Sequence, residues 1–338
     1  MTMPATHDAM SHDPLARIRM GLFSTLIEGD VVTADRVLRR LVDRGMSVGA
    51  ILEHILEPVQ HQFGERWRTG DLTVADEHLS TSALEVCVGM LAAAQEPDFE
   101  LASAGVICAE SDRHSLTGRF VHAALAAAGH PTVHLGSGIP AKELERWAAE
   151  AEMDVVLISC TVPRALPGAR RCIAGLHRSG VPVMIGGRAL GDDDSLARRL
   201  GADAWAKSTA DAVAQLADWS PDPAVGEAAA DVSLAAATQV EHHSSHLVAS
   251  SLDALGAIEA ADRACILECV TDFVGLAGAV ALLGETSAWS QQIEWWKDPT
   301  SGLGLDRAPQ RVADAVGAAL EQHGFDELAA QLVMASSH

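Results

Sequence analysis

Apolar positions recur at helical spacing in the first part of the chain and then give way to short runs. From residue 14 to 96 the pattern predicts four helices. Leu15, Ile18, Leu22 and Leu26 share one helix face, and Val37, Leu38, Leu41 and Val42 share another. Ser47 is a good N-cap for a third helix through Ile51, Ile55, Val59 and Phe63, which Gly70 stops and Pro58 should kink. Thr73 followed by Asp76 reads as a capping box opening a fourth helix, Val74 to Ala94. Short loops between four such helices imply an N-terminal four-helix bundle.

From 101 to 218 the texture is different. Short apolar runs at Ala104–Ala109, Thr132–Leu135, Asp154–Ser159, Val181–Ile185 and Ala204–Ala206 alternate with helical patterns. This alternation predicts a parallel sheet with helices on both faces, whose ligands bind outside the carboxyl ends of the strands. Residues 219–231 are rich in Pro, Gly and Ala and read as a linker. The remainder, 232–338, is helical in pattern with a Gly/Pro-rich break from Pro299 to Pro309. Residues 1–13 are polar, lack the apolar core of a signal peptide and read as a disordered tail.

Composition narrows the functional classes. Apolar residues make up 48% of the 338, enough for well-filled cores. A formal charge of −22 without a basic stripe argues against direct nucleic-acid binding, which needs clustered Lys and Arg to displace counterions. The six cysteines form no CxxC pair and mostly sit in apolar runs, as expected of reduced core residues in a cytoplasmic protein. No run of about 18 uninterrupted apolar residues exists, so no membrane span is predicted.

The candidate chemistry lies in the loop after the first predicted strand, Glu110-Ser-Asp112-Arg-His114-Ser-Leu-Thr-Gly118. A neutral imidazole there can ligate a transition metal through one nitrogen while Asp112 orients the other. Taken alone, Asp-x-His fits a helix-capping Asp beside a solvated His equally well. Ser159-Cys160-Thr161 ends the third strand and Gly186-Gly187 the fourth, so a hydroxyl and two side-chain-free positions border the same edge.

These residues resemble the cobalamin-binding domain of methionine synthases, mutases and their relatives, a Rossmann-type, flavodoxin-like fold. The resemblance implies His114 as the lower cobalt ligand, with Asp112 behind it. It further implies Gly118, Ser159, Thr161, Gly186 and Gly187 around the channel for the nucleotide tail. Gly118 falls one position later than the family's glycine, and Thr161 stands where the family has leucine. In the bundle, Trp67, nine intervening residues and then Glu77-His78 resemble the signature of CarH-type photoreceptors. That likeness implies that the bundle caps the upper face of adenosylcobalamin. Trp67 would pack on the adenosyl group, Glu77 would hydrogen-bond it and His78 would lie close by, with light releasing the group and the bundle shifting. Arg68 stands where some relatives place an upper-ligand histidine. His54 and His61, on one face of the third helix, read as solvated. CarH-type repressors begin with a winged-helix DNA-binding domain, whereas here only the short polar tail precedes the first helix.

Beyond residue 220 the resemblance thins. His242 and His246 lie one helical turn apart without an evident third ligand. Trp289, Trp295, Trp296, Phe273 and Phe325 are candidates for an aromatic-walled pocket, with Arg263, Arg307 and Arg311 to neutralise carboxylates. The photocobilins, a subfamily resembling CarH-type sensors that adds biliverdin, match this layout by architecture alone. Cys265 and Cys269 read as core rather than as bilin attachment points. The leading expectation is therefore a sensory protein rather than an enzyme, assembling as a light-dependent homo-oligomer that signals to an unidentified protein partner. A corrinoid carrier for methyl transfer is the alternative. A mutase subunit is disfavoured, because a substrate barrel of about 250 residues does not fit after the linker.

Overall fold

The computed structural model describes residues 15–219, 233–260, 262–284, 286–297 and 308–336. The predicted N-terminal tail, nearly all of the linker, the bulk of the Pro299–Pro309 break and Arg307 lie outside these residues.

The bundle forms from α1 (Ala16–Ile27), α2 (Val31–Asp43), α3 (Val48–Ile51), α4 (Glu57–Arg68) and α5 (Val74–Ala93). Asp30 and Ser47 cap α2 and α3, and the Thr73/Asp76 capping box is complete at the start of α5. The third predicted helix is continuous in path, but a π-turn (Leu52–Leu56) joins α3 to α4 instead of a simple kink. Its cause is Pro58, which has no N–H for the carbonyl of His54 four residues back. Arg19 Nη1 donates to that carbonyl at 3.0 Å, so the orphaned acceptor is satisfied from α1. The core is filled by Leu22, Leu26, Leu38, Ile51, Phe63 and Leu84, with Phe23 and Phe63 stacked at 5.0 Å between centroids.

The central domain is a five-stranded parallel sheet in the order β2-β1-β3-β4-β5. The strands are β1 (Ala104–Cys108), β2 (Thr132–Gly136), β3 (Val155–Ser159), β4 (Val183–Gly186) and β5 (Ala204–Ala206). Strand parity sorts the core. Val106, Leu157 and Met184 face α6 (Ser115–Ala127) and α10 (Thr209–Ala217). Ile107, Ile158 and Ile185 face α7 (Ala141–Ala151), α8 (Leu166–Arg178) and α9 (Ser195–Leu200). The order reverses between β1 and β3, and in parallel sheets of this kind ligands bind at the carboxyl edge beside such a reversal. The bundle docks on α6, whose Leu116, Phe120 and Ala123 belong to the bundle's core.

The C-terminal segment contributes α11 (Leu234–Leu255), α12 (Arg263–Leu283), α13 (Ser287–Trp296), α14 (Ala308–Gln322) and α15 (Asp326–Ser336). They share one continuous core with the α8 side of the sheet. By length and composition α12 alone among the described helices is apolar enough to cross a membrane, with mean hydropathy 1.9 and two thirds of the window buried. Its place at the centre of the helical domain, among buried Trp289, Trp296 and Val316, accounts for that composition.

Candidate functional site

The β1–α6 loop is wound tightly at the carboxyl edge. Asp112 N donates to Ala109 O at 2.9 Å, and Ser111 between the two anchors adopts φ +74°, a left-handed conformation costing a non-glycine residue about 1 kcal/mol. Asp112 is fully buried, and its carboxylate accepts three bonds: from His114 N at 3.0 Å, His114 Nδ1 at 2.7 Å and Thr161 N at 2.5 Å. Burial acts to raise its pKa, but these bonds outweigh it and hold the carboxyl below its ordinary value. His114 is half exposed at the N-cap of α6. Since Asp112 takes the proton on Nδ1, Nε2 is the nitrogen left with a lone pair, and it has no hydrogen bond among the described residues. The carboxylate thus makes the imidazole a better donor and ties β1 to β3.

The other predicted residues surround this pair. Ser159 pairs with Gly186 across β3 and β4 and with Cys108 across β1 and β3. The hydroxyls of Ser159 and Thr161 are buried and have no hydrogen-bond partner among the described residues. Gly187 has φ +110°, and a Cβ there would lie 2.3 Å from Cys160 O; one on Gly186 would lie 2.6 Å from Ala206 O. The closest approach at these glycines is therefore made by the protein's own strand ends. Gly118 lies on the sheet-facing side of α6, where a Cβ would be 3.2 Å from His134 Nε2.

The bundle residues form a second group. Glu77 Oε2 lies 2.9 Å from His78 Nδ1, and Thr81 Oγ1 donates to Glu77 Oε1 at 2.8 Å. Trp67 is half buried at the end of α4, and no hydrogen bond joins its indole to Glu77 or His78 among the described residues. Ser115 donates to Glu85, and the position of Gly89 faces Arg119, so α5 and α6 run side by side in the same direction. Glu77 precedes Glu85 by two helical turns, so it stands about 12 Å beyond the Ser115 contact along α5. This carries the Glu77–His78 pair past the carboxyl edge on the side where His114 sits. Arg68 is engaged with Glu65 at 2.7 Å, and His54 and His61 are exposed.

The C-terminal expectations need correction. Phe273, Trp289 and Trp296 are fully buried, and Phe273 stacks on Trp289 at 6.4 Å, so these rings pack the core instead of walling an open pocket. Arg263 and Arg311 are exposed, and Trp295 pairs with Arg188 of the central domain at 5.4 Å. Not His242 but His243 and His246 approach a third histidine, His323, and the described residues contain no cluster of three or more His, Cys, Asp or Glu side chains arranged to hold a metal ion. Cys269 is buried and Cys265 partly so, and burial raises both thiols, as expected of core residues.

Sequence reasoning missed the charged links between domains. Arg171 joins Glu110 to Glu241, and Arg164 meets Asp272 at 3.0 Å. Burial raises the pKa of Asp272 from its ordinary value despite the opposing pull of Arg164. No spacing rule pairs residues this far apart in sequence.

The arrangement fits a corrinoid. An oriented imidazole donor stands at the edge, two buried hydroxyls beside it lack partners among the described residues, and a helical bundle extends above. The comparisons agree. Residues 19–92 and 102–217 each match a model described as a B12 binding domain. Dimethylamine corrinoid protein 1 of Methanosarcina mazei is 28% identical over 177 residues, covering 50% of this chain and 81% of that protein. The HTH-type transcriptional repressor CarH of Myxococcus xanthus is 28% identical over 152 residues, covering 44% of this chain and 50% of that one. The Methanosarcina barkeri monomethylamine corrinoid protein has the same fold over 60% of this chain and 98% of its own, with TM-score 0.50 at 21% identity. The chain is thus a corrinoid-binding protein built on B12 binding domains and related to corrinoid carrier proteins and CarH-family regulators.

Proposed function

We propose that the protein is a cytoplasmic light sensor that holds adenosylcobalamin between the bundle and the carboxyl edge of the sheet. When bound, that cofactor supplies a cobalt–carbon bond that visible light cleaves. His114 Nε2 would ligate the cobalt, with the ring kept in one tautomer by Asp112. Ser159 and Thr161, whose hydroxyls have no partner among the described residues, would offer them to the nucleotide tail. Glu77, fixed by Thr81 and His78, would offer a carboxylate to the adenosyl group, and Trp67 would shield that group from water. The observation that carries this reading is the Glu77–His78 pair, projecting past the edge on the same helix that packs beside the ligand loop. The output is a shift of the bundle on α6, read as a change in self-association or in contacts with a protein partner.

A second reading, a corrinoid carrier for methyl transfer, is favoured by the carrier relatives. Against it stands the C-terminal helical domain, since the superposed carrier is almost wholly accounted for by 60% of this chain. The test is to load the protein with adenosylcobalamin in the dark and record absorption and mass by light scattering before and after illumination. A spectral change accompanied by a change in mass or partner binding supports the sensor. Constant mass and partner binding, with transfer of methyl from methylcobalamin-loaded protein to a thiol acceptor, supports the carrier. Biliverdin added in the same experiment should contribute a red band if the C-terminal domain holds a second chromophore.

A further inference from the structure

The loop that carries His114 is gripped from behind by a residue that also holds the C-terminal domain. Arg171 of α8 donates from Nε to Glu110 Oε2 at 2.5 Å. Its other two nitrogens form a fork on Glu241 of α11, Nη1 to Oε2 at 2.5 Å and Nη2 to Oε1 at 3.2 Å. The remaining oxygen of Glu110 accepts Ala141 N, the first N–H of α7, at 3.1 Å. One turn before Arg171, Gly168 lies so close that a Cβ would sit 2.0 Å from Glu110 O. The main chain and the side chain of Glu110 are therefore both fixed against α8. Two residues on comes Asp112, with the left-handed Ser111 between them. A non-glycine residue keeps that conformation only where its neighbours over-determine it. Glu110 is the anchor on one side of Ser111, and the three bonds of Asp112 are the anchor on the other.

We propose that Arg171 is a positioning residue for the Asp112–His114 pair and that Glu241, from the C-terminal domain, completes its setting. The cobalt-ligand loop is thus held in its ligating form partly by α11, and events at either end are felt at the other, since such coupling is reciprocal. This rests on the reading of His114 as the cobalt ligand. It gives the C-terminal helices a role at the corrinoid site that needs no second chromophore. Arg171 is the central member, because its planar fork satisfies two carboxylates on different domains at once.

The test uses the full chain with Arg171→Met, which cuts both links, and Glu241→Gln, which weakens only the link to α11. Without cofactor, amide hydrogen exchange is followed at His114 and Thr161, whose N–H groups both bond Asp112. With cobalamin, imidazole coordination is read from the absorption spectrum and retention from the dissociation rate. Both variants should speed exchange at these two amides while α5 amides stay unchanged. Retention should fall about tenfold in Arg171→Met and about threefold in Glu241→Gln, with a growing fraction lacking imidazole coordination. Wild-type exchange at His114 and Thr161 together with wild-type retention, even with a lowered melting temperature, would reduce Arg171 to a structural tie and overturn the proposal. A wild-type spectrum that itself lacks imidazole coordination would instead overturn the His114 reading, and this proposal with it.

Discussion

Removing the Asp112 carboxylate should cost far more stability than removing the imidazole it orients. Asp112 is fully buried and receives two backbone N–H groups and one imidazole N–H. In Asp112→Ala the N–H groups of His114 and Thr161 lose their partner in partly buried loops, at about 1–3 kcal/mol each, and the charge-assisted bond to the ring is lost too. With about 1.5–3 kcal/mol for that bond the sum is about 3–9 kcal/mol, a large share of the 5–15 kcal/mol typical of a domain. His114→Ala leaves both backbone bonds to Asp112 in place and removes a half-exposed ring, so about 1 kcal/mol is expected. Urea unfolding of the cofactor-free protein measures both. The pH dependence supplies an independent check. The folded-state pKa of Asp112 is depressed, so its contribution is present above the unfolded value near 4 and is lost as pH falls through the lower folded value. The gap between wild type and Asp112→Asn should therefore shrink below about pH 4. If Asp112→Ala cost no more than His114→Ala, or if the Asn gap held constant through the acid range, the carboxylate would not be organising this loop.

Other substitutions test the surrounding framework. Gly187→Ala should destabilise by about 3 kcal/mol or more, because its φ of +110° and a carbonyl at 2.3 Å both oppose a Cβ; Gly284→Ala, in the left-handed region at φ +71° with open space, should cost about 1 kcal/mol in the same unfolding assay. Trp289→Ala should cost about 3–5 kcal/mol if the ring is core, read as a lower denaturation midpoint with blue-shifted tryptophan emission partly lost. A small effect there would mean that the residue lines open space after all. Thiol titration of the native protein at pH 8 should leave Cys87 and Cys172 unreactive, since burial pushes both thiols up to about 11, whereas unfolding in urea should expose all six. Rapid native labelling of either would contradict the packing.

The fold was legible where local rules govern. Ser47 and the Thr73/Asp76 box mark helix starts, and the alternation of apolar runs with helical periods leads directly to a parallel sheet. Pro58 was legible as a disturbance but not as a π-turn, because the rescue of the His54 carbonyl depends on Arg19 from another helix. The pairing of Asp112 with His114 follows from adjacency along the chain. Its bond to Thr161 depends on β1 and β3 being neighbours, which strand order alone decides. The aromatic residues of the C-terminal domain show the limit from the other side. Composition cannot tell a pocket lined by Trp from a core filled by Trp, and here Phe273 and Trp289 pack against each other. The links through Arg171 and Arg164 were invisible because they join domains across an interface that no sequence periodicity encodes.

The central claim, that the His114 imidazole is the lower ligand of cobalt, has a direct spectroscopic test. The protein is produced with 15N-labelled histidine, loaded with unlabelled cobalamin and reduced to the cobalt(II) form. Its electron paramagnetic resonance spectrum is then compared with that of unlabelled protein. Coordination by histidine converts each nitrogen-split triplet into a doublet, and His114→Ala abolishes the doublet. Triplets that persist in the labelled protein would show that the cofactor's own base remains on the metal and would contradict the account.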